Sequence, residues 1–93
     1  MSDAASQARR VTIRNQRGLH ARAAAKFVKT AEAFEAEIRV VKDDTEVLGT
    51  SIMGLMMLAA GPGTEIDLRA TGADAEPALD ALAQLIDRKF DED

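Results

Sequence analysis

No cysteine, tryptophan or tyrosine occurs in these 93 residues, and histidine occurs once, at His20. Without cysteine there is no disulfide framework and no thiolate metal site, which is compatible with a reducing compartment. One histidine and no cysteine argue against structural zinc. Long hydrophobic runs are absent as well. The longest, residues 52–60, is interrupted by Gly54 and is too short to span a bilayer, and the first eight residues lack the apolar centre of a signal peptide. These absences predict a soluble cytoplasmic protein. A chain of this length builds one small core and no deep substrate cavity, so its chemistry belongs on the surface.

What charge there is falls unevenly. The net charge of −4 disfavours nucleic acid as the main partner, yet residues 1–30 carry seven Lys or Arg against one acid, and the remainder five against fifteen. The single histidine lies in the basic third. Arg14, Arg17, Arg22, Lys26 and Lys29 offer a positive collar to an acidic partner, although a solvated face explains most of them singly.

Residues 1–8 read as a disordered polar tail ahead of a single domain, residues 9–93. Alternation around Val11 and Ile13 predicts a first strand over 9–15, and a helix follows from Ala21 to about Ala33 with Ala24, Phe27, Val28, Ala31 and Phe34 at helical spacing. Strands are expected over 37–42 and 45–48, separated by Asp43-Asp44, then a short helix over 51–58 ended by Gly61-Pro62-Gly63. Residues 64–70 alternate Glu65, Asp67 and Arg69 against Ile66, Leu68 and Ala70, as a half-buried strand does. Asp74 is placed to cap a last helix with Pro77 in its first turn and Leu79, Leu82, Leu85, Ile86 and Phe90 as its apolar stripe. The order β-α-β-β-α-β-α implies an α+β domain whose sheet keeps one wet face.

His20 stands where the first strand region yields to the first helix. First-turn backbone N–H groups lack intrahelical partners, and with the positive end of the helix dipole they form an anion site that favours a neutral, nucleophilic ring. Arg22 opposes that dipole by about 0.3–1 kcal/mol, a poor choice for helix stability but apt for a phosphate, which a guanidinium can bind with two parallel hydrogen bonds.

The segment Gly18-Leu19-His20-Ala21-Arg22 resembles the active-site motif of HPr, the histidine-containing phosphocarrier family of the bacterial phosphotransferase system. Thr50-Ser51-Ile52-Met53-Gly54 resembles that family's second helix start, and Gly63-Thr64-Glu65-Ile66 with Ala70-Thr71-Gly72 resembles its last strand and turn. The likeness runs from Val11 to Phe90. Met56-Met57-Leu58 and the terminal Phe90-Asp91-Glu92-Asp93 lean toward the nitrogen-related branch. The resemblance implies an open-faced β-sandwich, a four-stranded antiparallel sheet with three helices on one face. It also implies that enzyme I phosphorylates His20 at Nδ1, that Arg22 steadies the phosphate, and that an enzyme IIA-type protein receives the group. It implies no cofactor, no metal and no membrane partner, and a monomer acting as a substrate of enzymes, with no small-molecule turnover of its own. One departure stands out: the family usually has proline where this chain has Ala23, which softens the helix entrance without removing the site.

The short helix is richer in apolar residues than one face can bury. Leu55 and Leu58 suit the core, leaving Ile52, Met53, Met56 and Met57 as a partly exposed strip fit for docking. Ser51 matches a position that a dedicated kinase phosphorylates in some HPr proteins, so a serine kinase and phosphorylase are candidate further partners. Its role as helix N-cap explains the serine by itself. A rival reading is a regulatory module of the same fold, its partner affinity switched by phosphorylation. An acyl-carrier reading of Ser51 fails because the Asp-Ser-Leu context is missing.

Overall fold

The computed structural model describes residues 6–92. In chain order they form β1 (Ser6–Thr12), α1 (Ala21–Glu32), β2 (Glu37–Lys42), β3 (Thr45–Leu48), α2 (Ile52–Met57), β4 (Glu65–Thr71) and α3 (Ala75–Asp87), followed by a tight turn at Lys89–Asp91. The strands make one antiparallel sheet in the order β1-β4-β2-β3. Alternation sets its two faces: Ile66, Leu68 and Ala70 are buried against the helices, while Glu65 and Arg69 are exposed. Across the wet face Arg10 bonds Asp67, and Arg39 bonds Glu37 and Glu46. The α+β class expected from element order, and the open-faced sandwich implied by the resemblance, are therefore the observed fold.

The helices close the other face. Ala24, Phe27, Val28 and Ala31 of α1 and Leu79, Leu82, Leu85 and Ile86 of α3 join Ile38, Val40, Ile66 and Leu68 in one core. Leu55 and Leu58 complete it from α2, as their spacing predicts.

Four expectations need correction. Of the expected tail, residues 1–5 lie outside the described residues, whereas Ser6, Gln7 and Ala8 already belong to β1 and pair with Thr71, Ala70 and Arg69, because main-chain pairing needs no apolar side chains. The same strand stops at Thr12, so Ile13 and Asn15 leave it for the loop that carries His20, both still fully buried. α2 is not ended by its glycines. It ends three residues earlier, where Ala59 takes a left-handed φ of 53° and the Lys42 ammonium donates to the Leu58 carbonyl at 2.9 Å. Asp74 occupies the N-cap of α3 but makes no capping bond; its carboxylate accepts instead from the Glu35 N–H at 2.8 Å, tying α3 to the loop after α1.

Candidate functional site

His20 is the N-cap of α1, with extended backbone at φ −76° and ψ 177°. The loop that delivers it depends on Gly18, whose φ is +63° and on which a Cβ would lie 2.1 Å from the Ala60 carbonyl oxygen. Only glycine permits both the conformation and the approach. The next residue secures the crossing: the Leu19 N–H donates to Ala60 at 3.0 Å and its side chain is buried. His20 is thereby set against the end of α2, lining a shallow depression with Arg17, Met56, Ala59 and Gly61. Met56 of the apolar strip thus lies beside the histidine.

The imidazole is held from both sides. Its Nδ1 accepts the Arg22 backbone N–H at 3.3 Å, and its Nε2 lies 2.5 Å from Glu92 Oε2. A ring nitrogen that accepts cannot carry the proton, and a carboxylate can only accept, so the neutral ring carries its proton on Nε2 and its lone pair on Nδ1. Glu92 is ionised for this purpose. Burial pushes its carboxyl up, but the hydrogen bonds from Asn15 and His20 and the charge of Lys26 outweigh burial and hold it below its ordinary value. Asn15, fully buried, donates through Nδ2 to both Glu92 Oε1 at 3.0 Å and the Gly18 carbonyl at 2.8 Å. One amide thus ties the carboxylate to the glycine loop.

Glu92 reaches the ring because the chain reverses after α3. Phe90, expected on the helix stripe, lies beyond the helix, which ends at Asp87; it is still wholly buried. Lys89, Phe90 and Asp91 have φ of 59°, 55° and 61°. Lys26 donates to the Phe90 carbonyl at 2.7 Å, and Arg88 bonds Asp91 at 3.0 Å, holding the turn closed. Asn15, Lys26 and Glu92 are thus site residues to which the sequence reading gave no role at the ring.

Around the ring, donors are free. The Ala21 and Ala23 N–H groups make no hydrogen bond among the described residues, and the Arg22 side chain is exposed with no ion pair among them. Ala23 is itself buried, so its methyl packs inward while its amide faces the helix entrance. On α2, Met53 and Met57 are 73% and 74% exposed, and Ile52 and Met56 40% and 43%. Ser51 caps this helix by accepting the Gly54 N–H at 2.9 Å. No group of three or more His, Cys, Asp or Glu among the described residues is placed to hold a metal, and no helix among them is long and apolar enough to cross a membrane.

Comparison with known proteins agrees with this arrangement. Residues 7–88 match the family model described as the PTS HPr component phosphorylation site. The chain is 52% identical to the phosphocarrier protein HPr of Neisseria meningitidis over 82 residues, covering 88% of this chain and 92% of that one. It is 49% identical to the phosphocarrier protein NPr of Shewanella violacea over 84 residues, covering 90% and 92%. Among solved structures, HPr-C-His from Thermoanaerobacter tengcongensis superposes with a TM-score of 0.89 at 45% identity, covering 94% of this chain and 98% of that one.

Proposed function

From the premise that this chain belongs to the HPr family of phosphocarrier proteins of the phosphotransferase system, we propose that it takes a phosphoryl group from phosphorylated enzyme I onto His20 Nδ1. It then passes the group to an enzyme IIA-type protein. The observation that carries this reading is the ring's anchorage: Nε2 faces Glu92, which leaves the lone pair on Nδ1 at the entrance of α1. Among the described residues, the only bond to be broken before attack is the 3.3 Å cap from Arg22, near the limit for a hydrogen bond. Its loss costs little and frees one more first-turn amide for the phosphoryl oxygens. Those amides, the helix dipole and the Arg22 guanidinium would share the phosphate's charge.

Both partners would dock on the surface shared by His20 and the α2 strip, Ile52, Met53, Met56 and Met57. Flexible thioethers suit a face that must accept two different proteins in turn. The same reading takes the carrier to be a cytoplasmic monomer. The nitrogen-related branch is favoured by the Met56-Met57-Leu58 run and the Phe90-Asp91-Glu92 terminus; relatives bearing the HPr and NPr names match almost equally. Ser51 keeps its capping bond as sufficient reason for being serine, with phosphorylation there a separate question for kinase assays. Incubation with enzyme I and radiolabelled phosphoenolpyruvate should yield label that is lost in acid and kept in base, and none on His20→Ala. Label retained at wild-type level on that variant would overturn the reading.

A further inference from the structure

Resting on the phosphocarrier reading, we propose that Glu92 is a positioning residue for phosphoryl transfer, one that keeps the His20 proton on Nε2 so that Nδ1 is always ready to attack. The need for such a residue follows from the chemistry. A neutral imidazole exchanges between two tautomers, and the one protonated at Nδ1 has no lone pair there to offer. With Nε2–H fixed, transfer needs no proton to move within the ring. The Nδ1 lone pair forms the new bond to phosphorus, and the old bond from phosphorus breaks with its electron pair leaving on the donor. The His20 ring, still protonated at Nε2, takes up positive charge that the Glu92 carboxylate faces directly. The return step reverses each of these changes.

Several independent features converge on that carboxylate. Each of its oxygens has its own partner: Oε1 accepts from buried Asn15, and Oε2 meets His20 Nε2. Asn15 is pinned in turn to the Gly18 carbonyl, so the base of the carboxylate and the loop carrying His20 move as one body. The turn delivering Glu92 holds three consecutive left-handed residues, none of them glycine. It is kept in place by the buried Phe90 ring, by Lys26 on the Phe90 carbonyl, and by Glu92 N–H on the Lys89 carbonyl at 2.9 Å. Lys26 also places a cation near Glu92 from α1, which favours the ionised carboxylate that the role demands.

Glu92→Gln tests the proposal, because it preserves shape while replacing an obligate acceptor with an amide that can also donate. Ring 15N shifts of His20 in the unphosphorylated protein read the tautomer, and rapid-quench labelling from enzyme I reads the rate. The wild type should show a protonated Nε2 and an unprotonated Nδ1. The variant should show a mixed population and transfer slowed about ten-fold, the lower end of what outer partners of a functional histidine contribute, with its melting temperature lowered only by the loss of one paired carboxylate. Glu92→Ala, read in the same way, covers the case in which glutamine distorts the turn. Wild-type rates in both variants, or slowed transfer with an unaltered tautomer and a lowered melting temperature, would overturn the role of Glu92. Failure of the wild-type protein itself to accept label would instead overturn the phosphocarrier reading, and with it the transfer part of this proposal.

Discussion

At the scale of single residues, the site separates side chains that hold the fold from those that the fold leaves available. Arg22 belongs to the second group: it opposes the α1 dipole, is exposed, and has no ion pair among the described residues. Arg22→Ala should therefore slow labelling and discharge alike while leaving stability unchanged or raised by about 0.3–1 kcal/mol; thermal melts beside transfer rates check both halves. Stability lost with transfer intact would make Arg22 structural. Gly18 is the opposite case. With φ at +63° and the Ala60 carbonyl oxygen 2.1 Å from where a Cβ would sit, Gly18→Ala must either distort its own loop or push away the Ala60–Gly61 segment that follows α2. It should cost more than the roughly 1 kcal/mol of a typical substitution, and it should also displace His20. The sequence made Gly18 legible as a break in a strand pattern, but not as a crossing point, because the atom it must avoid lies 42 residues away on another element. Glu92 was hidden for the same reason: the tetrapeptide at the terminus was visible, whereas its bond to a histidine 72 positions earlier depends on a left-handed turn that no periodicity announces.

At the scale of elements, α2 shows how six residues can serve two surfaces. Leu55 is fully buried while Met53, two positions before it, is 73% exposed. A turn of 3.6 residues sends them to opposite sides. Met53→Glu should leave the melting temperature nearly unchanged but weaken enzyme I binding, since a carboxylate would have to be desolvated at the contact. Leu55→Ala should do the reverse at first order, costing about 2–5 kcal/mol of stability as buried leucines do. Titration calorimetry paired with melts separates them, and normal binding by Met53→Glu would remove the strip from the interface. The period-2 and period-3.6 patterns located β2, β3 and α1 almost to the residue, because each buries one face against the same core. They failed at both ends of β1 and at the C-terminal end of α3. There, main-chain pairing and a left-handed turn decide the boundary, and neither leaves a periodic trace.

At the scale of the whole molecule, folding sorts the charge that the sequence left divided between a basic first third and an acidic remainder. The bases of β1 and the residues just after it find acids elsewhere: Arg9 pairs with Asp80, Arg10 with Asp67 and Glu65, and Arg14 with Asp87. Arg17 and Arg22 beside His20, and Lys29 in the last turn of α1, have no such partner among the described residues, so unpaired positive charge remains next to His20, where an acidic partner would meet it. The same sorting makes the fold sensitive to acid. The hydrogen bond from Arg10 holds the Asp67 carboxyl below its usual value, the bond from Arg88 does so for Asp91, and for Glu92 the bonds from Asn15 and His20 outweigh burial. In each case the unfolded chain has the higher pKa and takes up protons first, so stability is complete above the ordinary carboxylate range and is lost as pH falls through the depressed values. The melting temperature should therefore hold steady from pH 7 to about 5 and fall below about 4, where unpaired carboxyls of the unfolded chain become protonated. Asp67→Asn should lower the melting temperature at pH 7 and flatten the fall, since its share of the acid dependence is already gone. A melting temperature that stays level down to pH 3, or an Asp67→Asn variant that declines as steeply as the wild type, would show that these paired carboxylates do not govern stability.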